Sequence, residues 1–109
     1  MKKFKDAFNG LANAFRHRAV MTQAILGVMA IIGGVIIRLD YHEWLAFIIC
    51  IFLVIAMEVM NTSIERLSDI VSDEYSEKIK VVKDLSAAAV LIASLGALVV
   101  CVAAVIRRI

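Results

Sequence analysis

Three long apolar stretches with little chain between them leave this sequence few ways to fold. They run from Met21 to Leu39, from Trp44 to about Leu67, and from Leu85 to Ile106. Each comes close to the roughly 20 residues that a helix needs to cross a bilayer. With 62% apolar residues and a mean hydropathy of +0.90 in 109 residues, a soluble domain could not hide so much apolar surface. There is no proline to interrupt a helix. The expected fold is therefore all-α and integral to the membrane, a single domain with three transmembrane helices at 21–39, 44–67 and 85–106.

Residues 1–20 are different in kind. Phe4, Ala7, Phe8, Leu11, Ala14 and Phe15 recur at helical spacing, while Lys2, Lys3, Lys5, Arg16 and Arg18 lie off that stripe. A basic amphipathic helix beside a span lies in the membrane interface, and its minimal role is to anchor the chain to anionic lipid. It has neither the apolar region nor the small-residue cleavage site of a cleavable signal peptide. Cys50 and Cys101 each sit inside an apolar span and read as small buried hydrophobes, not as a disulfide or metal pair.

The connections complete the layout. Gly33-Gly34 permits close helix approach. Arg38 to Glu43 is a short polar turn flanked by Tyr41 and Trp44 as interfacial anchors, with His42 read as solvated. The 68–84 connection is charged, and the third span opens with the small residues Ser86 to Ala89. Five Lys and Arg in the amino-terminal segment and four between Arg66 and Lys83 stand against one in the 38–43 turn and two at the carboxyl end. That asymmetry places the amino terminus and the 68–84 connection in the cytoplasm.

The second span ends in a ladder of acids and amides. Glu58, Asn61, Thr62, Glu65 and Asp69 fall at i, i+3, i+4, i+7 and i+11, within about 60° of one line down a helix. Ionisable groups at the edge of an apolar span are costly and face a protein interior or a wet cavity. Stacked carboxylates also repel unless a cation sits between them. For Glu65 and Asp69 the plain alternative is a solvated helix end. Lys80, Lys83 and Asp84 share a face of the next helix. Carboxylates, a lysine and an amide are the groups that phosphoryl transfer asks for, and they would equally serve a proton path. No Gly-rich phosphate loop and no protein-kinase signature is present.

The spacing resembles the prokaryotic diacylglycerol kinase family, which includes the undecaprenol kinases of Gram-positive bacteria. The matching residues are Glu58, Asn61, Thr62, Ile64, Glu65 and Asp69, then Glu74 and Tyr75, then Lys80, Lys83, Asp84 and Ala87 to Val90, across 33 residues. Gly10-Leu11 and Glu43-Trp44 are looser matches. The resemblance implies ATP-dependent phosphorylation of a membrane lipid alcohol, undecaprenol or diacylglycerol, at the cytoplasmic face of a bacterial cell membrane. It implies Glu58 as the catalytic carboxylate and Glu65 as a ligand of the magnesium that accompanies ATP. Asn61, Asp69 and Ala87 would line the site. Glu74, Tyr75, Ser76, Lys83 and Asp84 would contact the nucleotide. The partners it implies are ATP, the lipid and further copies of the chain in a homotrimer with shared sites; no nucleic acid is expected.

The sequence departs from the family pattern in three places. Ser76 stands where a histidine is often found, and Ala7 where a serine is common. The family's second metal-binding glutamate, just before the first span, falls on Arg18 or His17 according to the alignment. No Asp or Glu occurs between Asp6 and Asp40. Two other readings follow: a non-catalytic membrane binding protein on the same fold, and an ion- or proton-conducting oligomer, for which the ladder is the only support.

Overall fold

In the computed structural model, which describes residues 2–109, four helices follow one another: α1 (Lys2–Ala14), α2 (Arg18–Ile37), α3 (Tyr41–Val71) and α4 (Glu77–Ile106). No strand occurs among the described residues. α2, α3 and α4 are each long and apolar enough to cross a membrane. The protein is thus an all-α membrane protein with an amino-terminal helix ahead of three spans.

The amphipathic segment does not run on to residue 20 as one helix. α1 ends at Ala14, a turn covers Phe15 to His17, and α2 starts at Arg18. Most of its apolar stripe is uncovered: Phe4 is 66% and Phe8 69% exposed. Only Ala14 of α1 is buried. An apolar stripe so exposed, flanked by lysines, suits the membrane interface.

The charged connection is also shorter than its composition suggests. α3 continues to Val71 and α4 begins at Glu77, so only residues 72–76 are non-helical. At 1.5 Å per residue the 31 residues of α3 span about 46 Å, against a hydrocarbon core of about 30 Å. With Trp44 at one interface, the opposite one falls near residue 64. Glu58 then lies about 9 Å inside, Glu65 at the boundary and Asp69 beyond it.

α3 is the central element, packed against α4 and, less extensively, α2. The molecule is flat, with extents of 51 × 38 × 19 Å. Its two ends are held by different chemistry. At the end away from the ladder, Leu39, Phe47 and Ala104 form a buried cluster backed by Trp44 and Val100. Gly34 faces it so closely that a Cβ would lie 2.7 Å from Leu39 Cδ1 and 3.0 Å from Trp44 Cη2. Gly33 has open space instead, so the glycine pair works through one member only.

The same end carries a polar lock. Asp40 caps α3, accepting from the Glu43 N–H at 2.9 Å while Glu43 accepts from the Asp40 N–H at 3.0 Å. Arg108 donates to both Glu43 carboxylate oxygens at 2.6 and 2.7 Å and to the Ile37 and Arg38 carbonyls at 2.9 and 3.0 Å. One guanidinium thus joins the ends of α2 and α4 to the start of α3. Arg38 closes α2 in the left-handed region, φ 61°. His42 is exposed, as expected, and Cys50 and Cys101 are free and half-buried.

Candidate active site

The ladder faces α4 and divides into two groups. The inner group is buried: Glu58 is 7%, Asn61 8% and Ser86 9% exposed. Ser86 Oγ donates to Asn61 Oδ1 at 2.7 Å, and Asn61 Nδ2 donates to Glu65 Oε1 at 3.1 Å. A relay of hydrogen bonds therefore runs from α4 through Asn61 to Glu65, fixing the amide's orientation. Buried polar side chains in such a chain are costly to break, because each left-over group has lost its water. Thr62 is spent locally, its hydroxyl donating to the Glu58 carbonyl at 2.9 Å.

Glu58 stands apart. Its carboxylate has no hydrogen-bond partner among the described residues, although the residue is almost enclosed. No fully enclosed side-chain oxygen lacks a partner there, so its oxygens keep a path outward. A carboxylate held in that way is available to a proton donor that arrives from outside the chain.

The outer group surrounds the 72–76 turn. Lys83 Nζ reaches across from α4 to Asp69 Oδ1 at 2.8 Å, an ion pair between residues 14 apart in sequence. Asp69, Glu74, Tyr75, Ser76, Lys80 and Lys83 line a groove of about 420 Å³, within the range of small-molecule sites. Ser72 Oγ accepts from the Glu74 N–H at 3.2 Å and shapes the turn. Tyr75 donates to Glu77 Oε1 at 2.7 Å, and that carboxylate holds the phenol's proton above its ordinary pKa.

The structure thus gathers Asp69, Glu74, Tyr75, Ser76 and Lys83 about the outer groove. It links buried Asn61 to exposed Glu65 and leaves Glu58, one turn before Asn61 on α3, enclosed and unpartnered. Asp84 lies outside both, exposed and paired with Lys80 at 2.6 Å. Neighbours on a helix point about 100° apart, so Lys83 and Asp84 do not act from one direction. Ala87 is exposed, and its neighbour Ser86 touches the ladder instead. Ser86 was legible only as a small residue at the start of a span. Its polarity opposite an amide was the available signal.

Among the described residues no three His, Cys, Asp or Glu converge to hold a metal. The donor set suits a magnesium ion that arrives with phosphates. Such an ion keeps waters and phosphate oxygens and asks for one or two carboxylates, and Glu65 is exposed to offer one. At the position of the absent second acid, His17 is half-buried and lines a groove with Thr62 and Arg66 of α3, whereas Arg18 is exposed and does not.

Comparison with known proteins gives the family of the chain. A family model described as prokaryotic diacylglycerol kinase matches residues 5–105. A diacylglycerol kinase of Sinorhizobium sp is 37% identical over 78 residues, covering 72% of this chain and 53% of that one. One from Helicobacter pylori (strain ATCC 700392 / 26695) is 32% identical over 93 residues, 82% of this chain and 73% of the relative. An undecaprenol kinase of Bacillus subtilis (strain 168) is 29% identical over 90 residues, again 82% and 73%. The chain spans about half the length of the Sinorhizobium relative. By the extent of the family match, the chain belongs to the prokaryotic diacylglycerol kinase family.

Proposed function

We propose that this protein transfers the γ-phosphate of ATP to the hydroxyl of a membrane lipid alcohol, diacylglycerol or undecaprenol, at the cytoplasmic face. The observation that carries this reading is the unpartnered, nearly enclosed Glu58 about two turns from Glu65 on the same helix. A general base must come within hydrogen-bond reach of the hydroxyl it deprotonates, so the lipid hydroxyl enters beside α3 to the depth of Glu58, about 9 Å inside the boundary. Glu58 accepts that proton as the oxygen attacks phosphorus. Asn61 and Ser86 hold Glu65 in place. Lys83, drawn from Asp69, meets the phosphates beside the 72–76 turn, with Glu74, Tyr75 and Ser76 around the nucleotide. Magnesium, when bound at Glu65 with the phosphates, neutralises their charge.

One protomer is too thin to keep the ladder from lipid, at 19 Å in its shortest extent. We place the site in a homo-oligomer, a trimer on the family pattern, with neighbouring copies closing the open side of Glu65 and Ala87. The positive residues near α1 and the 72–76 turn orient both towards the cytoplasm.

The missing second acid supports one other reading, a membrane binding protein that no longer turns over. Radiolabelled ATP, with diacylglycerol and undecaprenol as parallel acceptors, separates the two. Label in an extracted lipid supports the kinase and names its substrate. Nucleotide binding without labelled lipid supports the binding protein.

A further inference from the structure

Cys50 and Cys101 stand in different spans and have no part in the phosphoryl transfer described above. Spacing along the chain gives no reason to pair them; the packing of α3 against α4 does. The two helices run antiparallel and keep one register over the end away from the ladder. Glu43 of α3 takes the guanidinium of Arg108 of α4 at 2.6 Å. One turn on, Phe47 belongs to the cluster that holds Ala104, and Cys101 packs against that cluster. Further on, Val54 shares a groove with Ala97 and Leu98, and Cys50 lines the same groove. Each step forward along α3 is thus met by an equal step back along α4. In that series Cys50, just after Phe47, falls opposite Cys101, just before Ala104. Cys50 is also the ionisable group that neighbours Cys101. The α4 positions one turn to either side of Cys101, Ala97 and Ala104, are small, which lets the two backbones approach closely. A disulfide needs such an approach, with Cα atoms within about 7 Å.

Depth decides which oxidant can serve. Counted from Trp44, Cys50 lies about 9 Å inside the hydrocarbon. Charged, water-soluble oxidants do not enter that layer, whereas a neutral one that dissolves in the bilayer does. We propose that Cys50 and Cys101 are a modification site, joined as a reversible disulfide by a neutral halogen oxidant such as iodine or a hypohalous acid. One sulfur attacks the halogen and loses its proton, giving a sulfenyl halide. The other sulfur then displaces halide from it and loses its own proton. With iodine, two S–H bonds and the I–I bond break, one S–S bond forms, and two molecules of hydrogen iodide leave. The thiols give up two electrons, and iodine takes them. The product carries no charge and no unmet hydrogen-bond donor, so hydrocarbon accepts it. It ties α3 to α4 at one end, as the Ser86 to Asn61 hydrogen bond does at the other.

The test treats the native protein in lipid vesicles with iodine, then denatures it and counts the remaining thiols by maleimide labelling and mass. The readout is the bond itself, so it is independent of whether the protein turns over. Both thiols should disappear together in a species of single-chain size, lighter by two hydrogens, whose digest holds the Cys50 and Cys101 peptides joined. Tributylphosphine should restore both. Cys50→Ser and Cys101→Ser should each abolish that species. Phe52→Cys in the Cys50→Ser background puts the thiol on the opposite, 71% exposed side of α3, and should slow bond formation about tenfold or more, since Cβ atoms that point apart cannot be bridged. Thiols left free, bonds formed only between copies, or equal rates from positions 50 and 52 would overturn the pairing. The oxidised native protein should also unfold at a higher temperature than the reduced one, because the bond closes a long loop. A lower midpoint would mean that the bond drags the helices out of register, and would overturn it too.

Discussion

At the scale of single residues, Glu58 and Glu65 sit on one helix face yet in unlike surroundings. Glu58 is enclosed and unpartnered, and Glu65 is exposed and tied to Asn61. Glu58→Gln keeps the shape but removes the base, so turnover should fall at least 10²-fold, the low end for general-base catalysis. Nucleotide binding, read by calorimetry, should change little. Glu65→Gln should instead raise the magnesium-nucleotide concentration needed for half-maximal rate. If both variants altered nucleotide affinity alone, this division of roles would be wrong. The absent second acid gives a further residue-scale prediction. With one carboxylate for magnesium, the native enzyme should need high magnesium. His17→Glu should lower that need, because His17 faces α3, while Arg18→Glu, directed away from the groove, should not. A rate-against-magnesium titration decides; an unchanged His17→Glu curve would mean that another group has taken the ligand's place.

At the scale of elements, α2 and α3 are joined by close packing at Gly34, and at Gly27 against Ile51, and by a guanidinium. A Cβ on Gly34 would press on the Leu39 side chain and the Trp44 ring. Gly34→Ala should therefore cost about 1–3 kcal/mol, as overpacking does. Gly33→Ala meets open space and should be neutral or stabilising by about 0.5–1 kcal/mol, from the lower backbone entropy lost in a helix. Thermal unfolding in micelles compares the two; equal effects would deny the close approach at Gly34. Arg108 ties together carbonyls and a carboxylate from three helix ends. Its removal would leave Glu43, 8% exposed, without its bidentate partner.

At the scale of the whole molecule, the protomer is a thin layer whose apolar residues mostly face outward. Val20 is the largest fully enclosed side chain, and α4 is the least buried of the three spans. Lipid covers an apolar face at no cost, but the unpartnered Glu58, about 9 Å inside the hydrocarbon, calls for a protein neighbour on its open side. The homo-oligomer should persist in mild detergent and be captured by chemical cross-linking as a trimer. Activity in a species that light scattering shows to be monomeric would refute shared sites.

How much of this was written in the chain can be judged residue by residue. The three apolar runs set the number of spans, because a bilayer accepts only chain whose backbone polar groups are satisfied within it. Helical periodicity alone aligned Glu58, Asn61, Glu65 and Asp69, since spacing within one helix fixes which side chains share a face. Periodicity does not say which faces of different helices meet. Lys83 with Asp69, Ser86 with Asn61, Arg108 with Glu43 and His17 beside Arg66 are all pairings between elements, settled by helix register and crossing. The break after Ala14 is not legible in the spacing either, because Phe15 continues the apolar stripe although the backbone has already turned. Composition and spacing thus determined the spans and the ladder. Only the packing of α3 against α4, and of the chain's two ends against α3, decided which of the ladder's groups are paired and which remain available for chemistry.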